Sequence, residues 1–322
     1  MALLELQDLS LHYHTGRGVI SAVNQLSLAL DAGESLGLVG ESGSGKSSIA
    51  HAILRLLPAY AQIRQGRIYF AGRNLLDLTE PQMREVRWRQ IAMVFQAAMN
   101  TLNPMYTVGA QVVETILTHE PNMSSKAARA RVEELYALVG LPCTLLRRYP
   151  HEYSGGMKQR ACIALALACN PQLIIADEPT TALDVIMQAR ILGELESIRK
   201  ERGMSVIYIS HDMAMMAQVA ERIGVMYAGV LVEYGCTIDL LAAPAHPYTA
   251  GLLAAVPSMA DDVTQLQEIP GEPVDLYAPP AGCRFYPRCS RATAQCKEQA
   301  PPLLPCRRNR DGEHKAACWH LL

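Results

Sequence analysis

No stretch of the 322-residue sequence reaches the roughly 18 uninterrupted apolar residues that a membrane-crossing helix needs. The longest candidate, around Ala161 to Cys169, spans half a bilayer and reads as part of an ordinary buried helix. The N-terminus, MALLELQDLS, lacks a basic start and places Glu5 and Asp8 where a secretory signal needs an apolar run, so export is not expected. An excess of one charge is missing too. The 29 Lys and Arg against 31 Asp and Glu leave a net −2, which offers no global field to nucleic acid or an anionic membrane. The sequence shows no repeat at roughly 20 to 50 residues and no low-complexity tract.

Hydrophobic residues make up 50% and charged residues 19%, a balance foreign to disordered chains and charge-patterned coiled coils. At about 150 residues per domain the length suggests two domains, or one with an appendage, and a chain of this size needs no disulfide staples. Nine cysteines, an odd number without a secretory signal, point to a reducing compartment where thiols are free or metal-bound.

Residues 1–235 alternate strand-like and helix-like segments, as a mainly parallel α/β sheet does. Ser35 to Val39 reads as a buried strand, followed by a Gly-rich loop and by Ile49, Ile53 and Leu56 at helical spacing. Further strands are expected at Ile91 to Phe95, Leu173 to Ala176 and Val206 to Ile209. Between the first two of these, Val132, Leu135, Tyr136 and Val139 share a helix face and mark a helical insertion. Beyond Gly235 prolines accumulate (Pro244, Pro247, Pro257, Pro270, Pro273, Pro279, Pro280), and a second, irregular module is expected.

Gly40-Glu41-Ser42-Gly43-Ser44-Gly45-Lys46-Ser47 fits G-x-x-x-x-G-K-[ST] between a strand and a helix, the context that makes the pattern a phosphate loop. Gly40, Gly43 and Gly45 let backbone N–H groups converge on phosphate oxygens, with Ser42 and Ser48 beside them. Lys46 is suited to reach the β and γ phosphates, and the Ser47 hydroxyl to ligate Mg2+. Leu173-Ile174-Ile175-Ala176-Asp177-Glu178 is an apolar strand ending in two carboxylates. Asp177 there is suited to hold Mg2+, and Glu178 to polarise an attacking water.

Ser154-Gly155-Gly156-Met157-Lys158-Gln159-Arg160 resembles the signature motif of ABC-transporter ATPases, and the motif order matches that family across residues 1 to about 235. The resemblance implies an α/β P-loop NTPase core with a helical subdomain at about 97–163. It makes Gln96 the Q-loop glutamine, contacting Mg2+ and the water. Asp184 in Thr181-Ala182-Leu183-Asp184 corresponds to the D-loop aspartate, His211 to the switch histidine that donates to the γ-phosphate, and Tyr13 to the adenine-stacking aromatic. Ser154, Gly155, Gly156 and Gln159 are implied to act on the nucleotide of a second ATPase subunit, since the chain carries one phosphate loop and one signature. Tyr153 stands where the family usually has Leu, and Met157 where it often has Gln.

Leu102-Asn103-Pro104, Asp177 to Val185 and His246-Pro247-Tyr248-Thr249 together are similar to the ATPases of dipeptide, oligopeptide and nickel importers. On composition alone the His-Pro-Tyr-Thr element reads as a loop turn. Within this branch Ala97 to Val108 is expected to face a membrane subunit, with Met99, Leu102, Met105 and Tyr106 as an apolar docking surface. The implied partners are a homologous second ATPase, two permease subunits and, indirectly, an extracytoplasmic solute-binding protein, with no nucleic acid. The expected place is the cytoplasmic face of the membrane, and the expected reaction is ATP hydrolysis driving peptide uptake. The alternatives are a soluble ABC-type ATPase acting on nucleic acid or ribosomes, and a nickel or oligosaccharide importer ATPase.

Cys283, Cys289, Cys296 and Cys318 give C-x5-C-x6-C-x21-C, with Cys306 between the last two. Soft thiolates in a small Pro-rich module that builds little core suggest a metal staple in residues 236–322. The spacing fits neither zinc ribbons nor ferredoxins. Resemblance to the peptide-importer branch implies a [4Fe-4S] cluster, with zinc second, and favours Cys318 over Cys306 as fourth ligand. Eight Lys and Arg against three acids between 283 and 318 leave a net +5, suited to an anionic centre. Cys143, Cys162, Cys169 and Cys236 are expected to be small core residues.

Overall fold

The computed structural model describes residues 2–96, 101–180, 183–255, 269–306 and 314–322. In chain order the elements are β1 (Ala2–Thr15), β2 (Gly18–Asp31), β3 (Ser35–Val39), α1 (Lys46–Ile53), β4 (Ala61–Phe70), β5 (Arg73–Asn74), α2 (Glu80–Val86) and β6 (Ile91–Val94). They continue with α3 (Val108–His119), α4 (Ser125–Leu138), α5 (Gly155–Ala166), β7 (Leu173–Asp177), α6 (Val185–Arg202), β8 (Ser205–Ser210) and α7 (Met213–Val219). The last are β9 (Arg222–Tyr227), β10 (Val230–Cys236), α8 (Thr237–Ala242), α9 (Pro247–Ala254), α10 (Ala294–Glu298), β11 (Leu304–Pro305) and β12 (Lys315–Ala316). They group into two compact units, one of Asp31–Glu34 and Asp77–Ile209, the other of Ala2–Leu30, Ser35–Leu76 and Ser210–Leu322.

The second unit opens with a sheet that a mainly parallel reading does not anticipate, a four-stranded array in the order β2-β1-β4-β5. β1 and β4 run antiparallel from Leu4 opposite Phe70 to Tyr13 opposite Ala61. The alternation of buried leucines slips by one along β1: Leu4 and Leu6 face the core, then Leu9 and Leu11. A bulge makes the slip, because the register shifts between Gln7 and Ser10 and Asp8 takes φ 47 there. The extra residue re-aims the following side chains and keeps both leucine pairs inside.

In the same unit β3, buried along its whole length, pairs parallel with β9, and β9 pairs antiparallel with β10. β10 takes β12 beside it, and β12 takes β11, so the C-terminal residues extend this sheet. The helix after the Gly-rich loop is shorter than the apolar spacing suggests. It stops at Ile53 because Arg55 takes φ 52, which leaves Leu56 exposed. His246-Pro247-Tyr248-Thr249 is not a loop turn but the start of α9: His246 caps it by accepting the Tyr248 N–H at 3.0 Å, and Pro247 occupies the first turn.

The first unit holds the parallel strands β6, β7 and β8 in that order, each buried throughout. Helices α3, α4 and α5 follow β6 and precede β7 in the chain, and Val132, Leu135, Tyr136 and Val139 are buried. Cys162 and Cys169 are buried as expected, but Cys143 is exposed and Cys236 only half-buried. Among the described residues no helix is long and apolar enough to cross a membrane.

Candidate functional site

The loop between β3 and α1 is shaped by two glycines with no room for a side chain. A Cβ on Gly40 would lie 2.1 Å from the Met226 carbonyl oxygen, and one on Gly45, at φ 101, would lie 2.3 Å from that of Ala22. Gly45 is also the N-cap of α1, so no side chain caps that helix. The first turn's N–H groups and the positive end of the helix dipole form an anion site. Lys46 is buried, and its ammonium donates to the carbonyls of Gly40 at 2.7 Å and Glu41 at 2.8 Å and to the Ser44 hydroxyl at 3.0 Å. Ser42 and Gly43 are exposed, Ser47 and Ser48 half-buried. Tyr13 donates to the Ser48 hydroxyl at 3.0 Å and pairs with the Tyr60 ring at 5.9 Å between centroids.

Sequence reasoning missed how this loop is held from outside. The Glu41 N–H donates to the Tyr248 hydroxyl at 3.0 Å, and the Glu41 carboxylate accepts Arg288 Nη1 at 2.8 and 3.0 Å. The Ser44 carbonyl accepts the Gly229 N–H at 2.9 Å. In the same unit His211 lies exposed just ahead of α7, whose cap is Asp212.

In the other unit Asp177 ends β7, buried, in register with Ile209 of β8. Glu178 follows with φ 44, a left-handed conformation that costs a non-glycine residue energy. Its N–H donates to the Ile209 carbonyl at 2.9 Å. Gln96, exposed two residues beyond β6, donates from Nε2 to Glu178 Oε2 at 2.9 Å. Of the docking segment, Met99 lies outside the described residues, Met105 and Tyr106 are exposed, and Leu102 is instead buried.

Thr181 and Ala182 lie outside the described residues, while Asp184 caps α6 by accepting the Met187 N–H at 2.9 Å. The next two residues, Val185 and Ile186, are 78% and 81% exposed, an apolar pair left in water beside the cap. Ser154 caps α5, its hydroxyl accepting the Met157 N–H at 3.4 Å. Ser154 is exposed and Gly155 half-exposed, whereas Gly156 and Gln159 are buried. The Gln159 Nε2 has no hydrogen-bond partner among the described residues. Tyr153, where Leu is usual, is buried and donates to the Leu145 carbonyl at 2.7 Å, with the Tyr136 hydroxyl 3.0 Å away.

Cys283, Cys289, Cys296 and Cys318 line one small pocket of about 10 Å³ together with Phe285 and Trp319. Cys306 does not line the cavity and packs against Ala245 and Ala316. Burial pushes the Cys283 thiol up to about 11 and raises those of Cys289 and Cys318, against backbone N–H groups that favour the thiolates. The donor chemistry, four soft thiols from separate segments around one pocket, fits a soft metal. The spacing is not closed around one: among the described residues no three His, Cys, Asp or Glu are arranged to hold a metal ion, and the cavity takes about one water. Among the described residues only part of the positive charge expected at the thiols is found there. Arg288 is committed to Glu41, and Arg284 to the Ala228 carbonyl and the Ser21 carbonyl and hydroxyl. Arg291 lines the cavity, and Arg307, Arg308, Arg310, Asp311 and Glu313 lie outside the described residues.

Comparison with known proteins agrees with these motifs. The family described as ABC transporter matches residues 23–181, and that described as the oligopeptide/dipeptide transporter C-terminal region matches residues 232–296. The chain is 44% identical over 320 residues to the dipeptide transport ATP-binding protein DppD of Bacillus subtilis, covering 98% of this chain and 94% of that protein. It is 46% identical over 306 residues to the oligopeptide transport ATP-binding protein OppD of the same organism, covering 94% and 85%. Among solved structures, a dimeric ATP-binding cassette in a post-hydrolysis state with ADP and Pi superposes with a TM-score of 0.66 at 29% identity, over 73% of this chain and 98% of that one.

Proposed function

The chain belongs to the ABC transporter ATPase family, and from that premise we infer that it is the ATP-hydrolysing subunit of a membrane importer that powers uptake of dipeptides or oligopeptides. The names of its full-length relatives favour this over a soluble ATPase acting on nucleic acid or ribosomes, or a nickel or oligosaccharide importer. The observation that carries it is the uncapped helix start with Lys46 seated in its loop, on a chain whose other unit holds Glu178 to Gln96.

The residues divide the work as follows. Backbone N–H groups of Gly40, Ser42, Gly43, Gly45, Lys46, Ser47 and Ser48 and the Lys46 ammonium bind the phosphates, and Tyr13 stacks on the adenine. Ser47, Asp177 and Gln96 would supply the oxygen donors for Mg2+, a hard cation that would offset phosphate charge. The Gln96 bond to Glu178 uses the amide nitrogen and leaves the amide oxygen for that task. Glu178 takes the proton of the attacking water as its oxygen bonds to the γ-phosphorus and ADP leaves, and His211 donates to the γ-phosphate. Ser154 and Gly155 address the nucleotide of a homologous second ATPase, and Asp184 with the exposed Val185 and Ile186 lies on that contact. Gly156 and Gln159, implied with them, are buried within the chain, so Ser154 and Gly155 are the exposed part of that surface. Met105 and Tyr106 meet the permease subunits at the cytoplasmic face of the membrane, where a solute-binding protein delivers peptide from outside.

The four thiols Cys283, Cys289, Cys296 and Cys318 would be the ligands of a soft metal centre, a [4Fe-4S] cluster first and zinc second; their sharing one pocket supports this, and they would have to draw together around the metal to hold it. Iron, sulfide and zinc assays on anaerobically purified protein test it, and the absence of all three removes it.

Uptake of a labelled dipeptide by cells carrying this chain or its Glu178→Gln variant tests the function. Loss of uptake with the variant is expected; equal uptake by both contradicts the reading.

A further inference from the structure

We propose that Arg288, from the C-terminal region, is a positioning residue for nucleotide binding that acts through Glu41 on Lys46. The proposal rests on the reading of Gly40 to Ser47 as a triphosphate site. Glu41 stands between the two basic residues with every polar group engaged. Its carboxylate holds Arg288, its N–H donates to Tyr248, and its carbonyl accepts both the Lys46 ammonium at 2.8 Å and the Ser44 N–H at 3.2 Å. A turn of Glu41 about its backbone therefore moves an oxygen that seats the lysine. Arg288 is in turn fixed: its other nitrogens donate to the carbonyls of Pro270 at 2.9 Å and Ile269 at 3.2 Å, and its guanidinium lies 5.7 Å from the Tyr227 ring centroid.

Charge gives a second reason. Glu41 is a carboxylate inside a loop built for a polyanion, and uncompensated it repels phosphate. The Arg288 side chain is 5% exposed and that of Glu41 27%, so water screens little of the pair, and removing the cation leaves the anion exposed to the ligand. The surroundings repeat the pattern with Arg284. It donates to the Ala228 carbonyl, and the next residue's N–H holds the Ser44 carbonyl. A buried arginine one residue from a pocket cysteine thus braces each end of the loop.

The experiment compares ATP affinity by calorimetry, and KM against kcat, in the full chain and in Arg288→Ala, Arg288→Lys, Glu41→Gln and the Arg288→Ala/Glu41→Gln double variant, with thermal unfolding as the folding control. Arg288→Ala is expected to weaken ATP binding about tenfold, the scale of coupling within one charged network, and to raise KM more than it lowers kcat. Arg288→Lys recovers part of the loss, and Glu41→Gln in the Arg288→Ala background recovers more, because it removes the repelling charge. Wild-type affinity in a folded Arg288→Ala, or a loss that Glu41→Gln leaves untouched, overturns the proposal. If the wild-type chain itself holds no ATP, the triphosphate reading fails first and takes this proposal with it.

Discussion

Gln96 Nε2 donates to Glu178 Oε2 at 2.9 Å and so ties the segment after β6 to the carboxylate at the end of β7. Met105 and Tyr106, later in the chain, are exposed. Gln96→Ala is expected to lower kcat about 10- to 100-fold, the value of a hydrogen bond to a charged group, with little change in ATP affinity. Steady-state kinetics beside equilibrium binding checks the split.

Gly45→Ala puts a Cβ 2.3 Å from the Ala22 carbonyl at φ 101, so the loop must shift and ATP binding is expected to be lost. Lys46→Ala removes the three donated bonds and loses binding without the steric insult. Calorimetric titration with ATP separates the pair from wild type, and retained affinity in both contradicts the loop assignment.

Ile186→Lys changes a side chain that is 81% exposed, so stability is expected to move by no more than about 0.5 kcal/mol. Pairing with a second ATPase in the presence of ATP is expected to fall. Size-exclusion chromatography under conditions that block turnover reads the association, and thermal unfolding reads the stability.

His246 is buried and its pKa is lowered from 6.5 to about 4, desolvation outweighing the nearby Glu233 carboxylate, which raises it. The unfolded chain takes up a proton between those values and the folded chain does not, so full stability is present above pH 6.5 and drains away as pH falls toward 4. The loss is on the order of 3 kcal/mol. Unfolding curves from pH 7 to pH 4 should show it, and His246→Gln should flatten the slope over that range.

The Gly-Lys loop, the Asp177-Glu178 strand end and the Ser154-Gly155-Gly156 motif were legible because each is a run of neighbouring residues of fixed type. The β1–β4 sheet was not, because the bulge at Asp8 breaks the leucine alternation that marks a strand. Arg288 and Glu41 are 247 positions apart, beyond any local pattern, and in the sequence Arg288 reads as positive charge for its neighbour Cys289. The end of α1 was missed for a backbone reason: Leu56 keeps the helical spacing, but Arg55 has already left the helix.

Phosphate release by wild type and by Glu178→Gln, measured together with ATP retained per chain, tests the account at its centre. It predicts full ATP retention by both and release at least about 100-fold slower in the variant, the lower bound for losing a general base. Wild-type release by Glu178→Gln would contradict it.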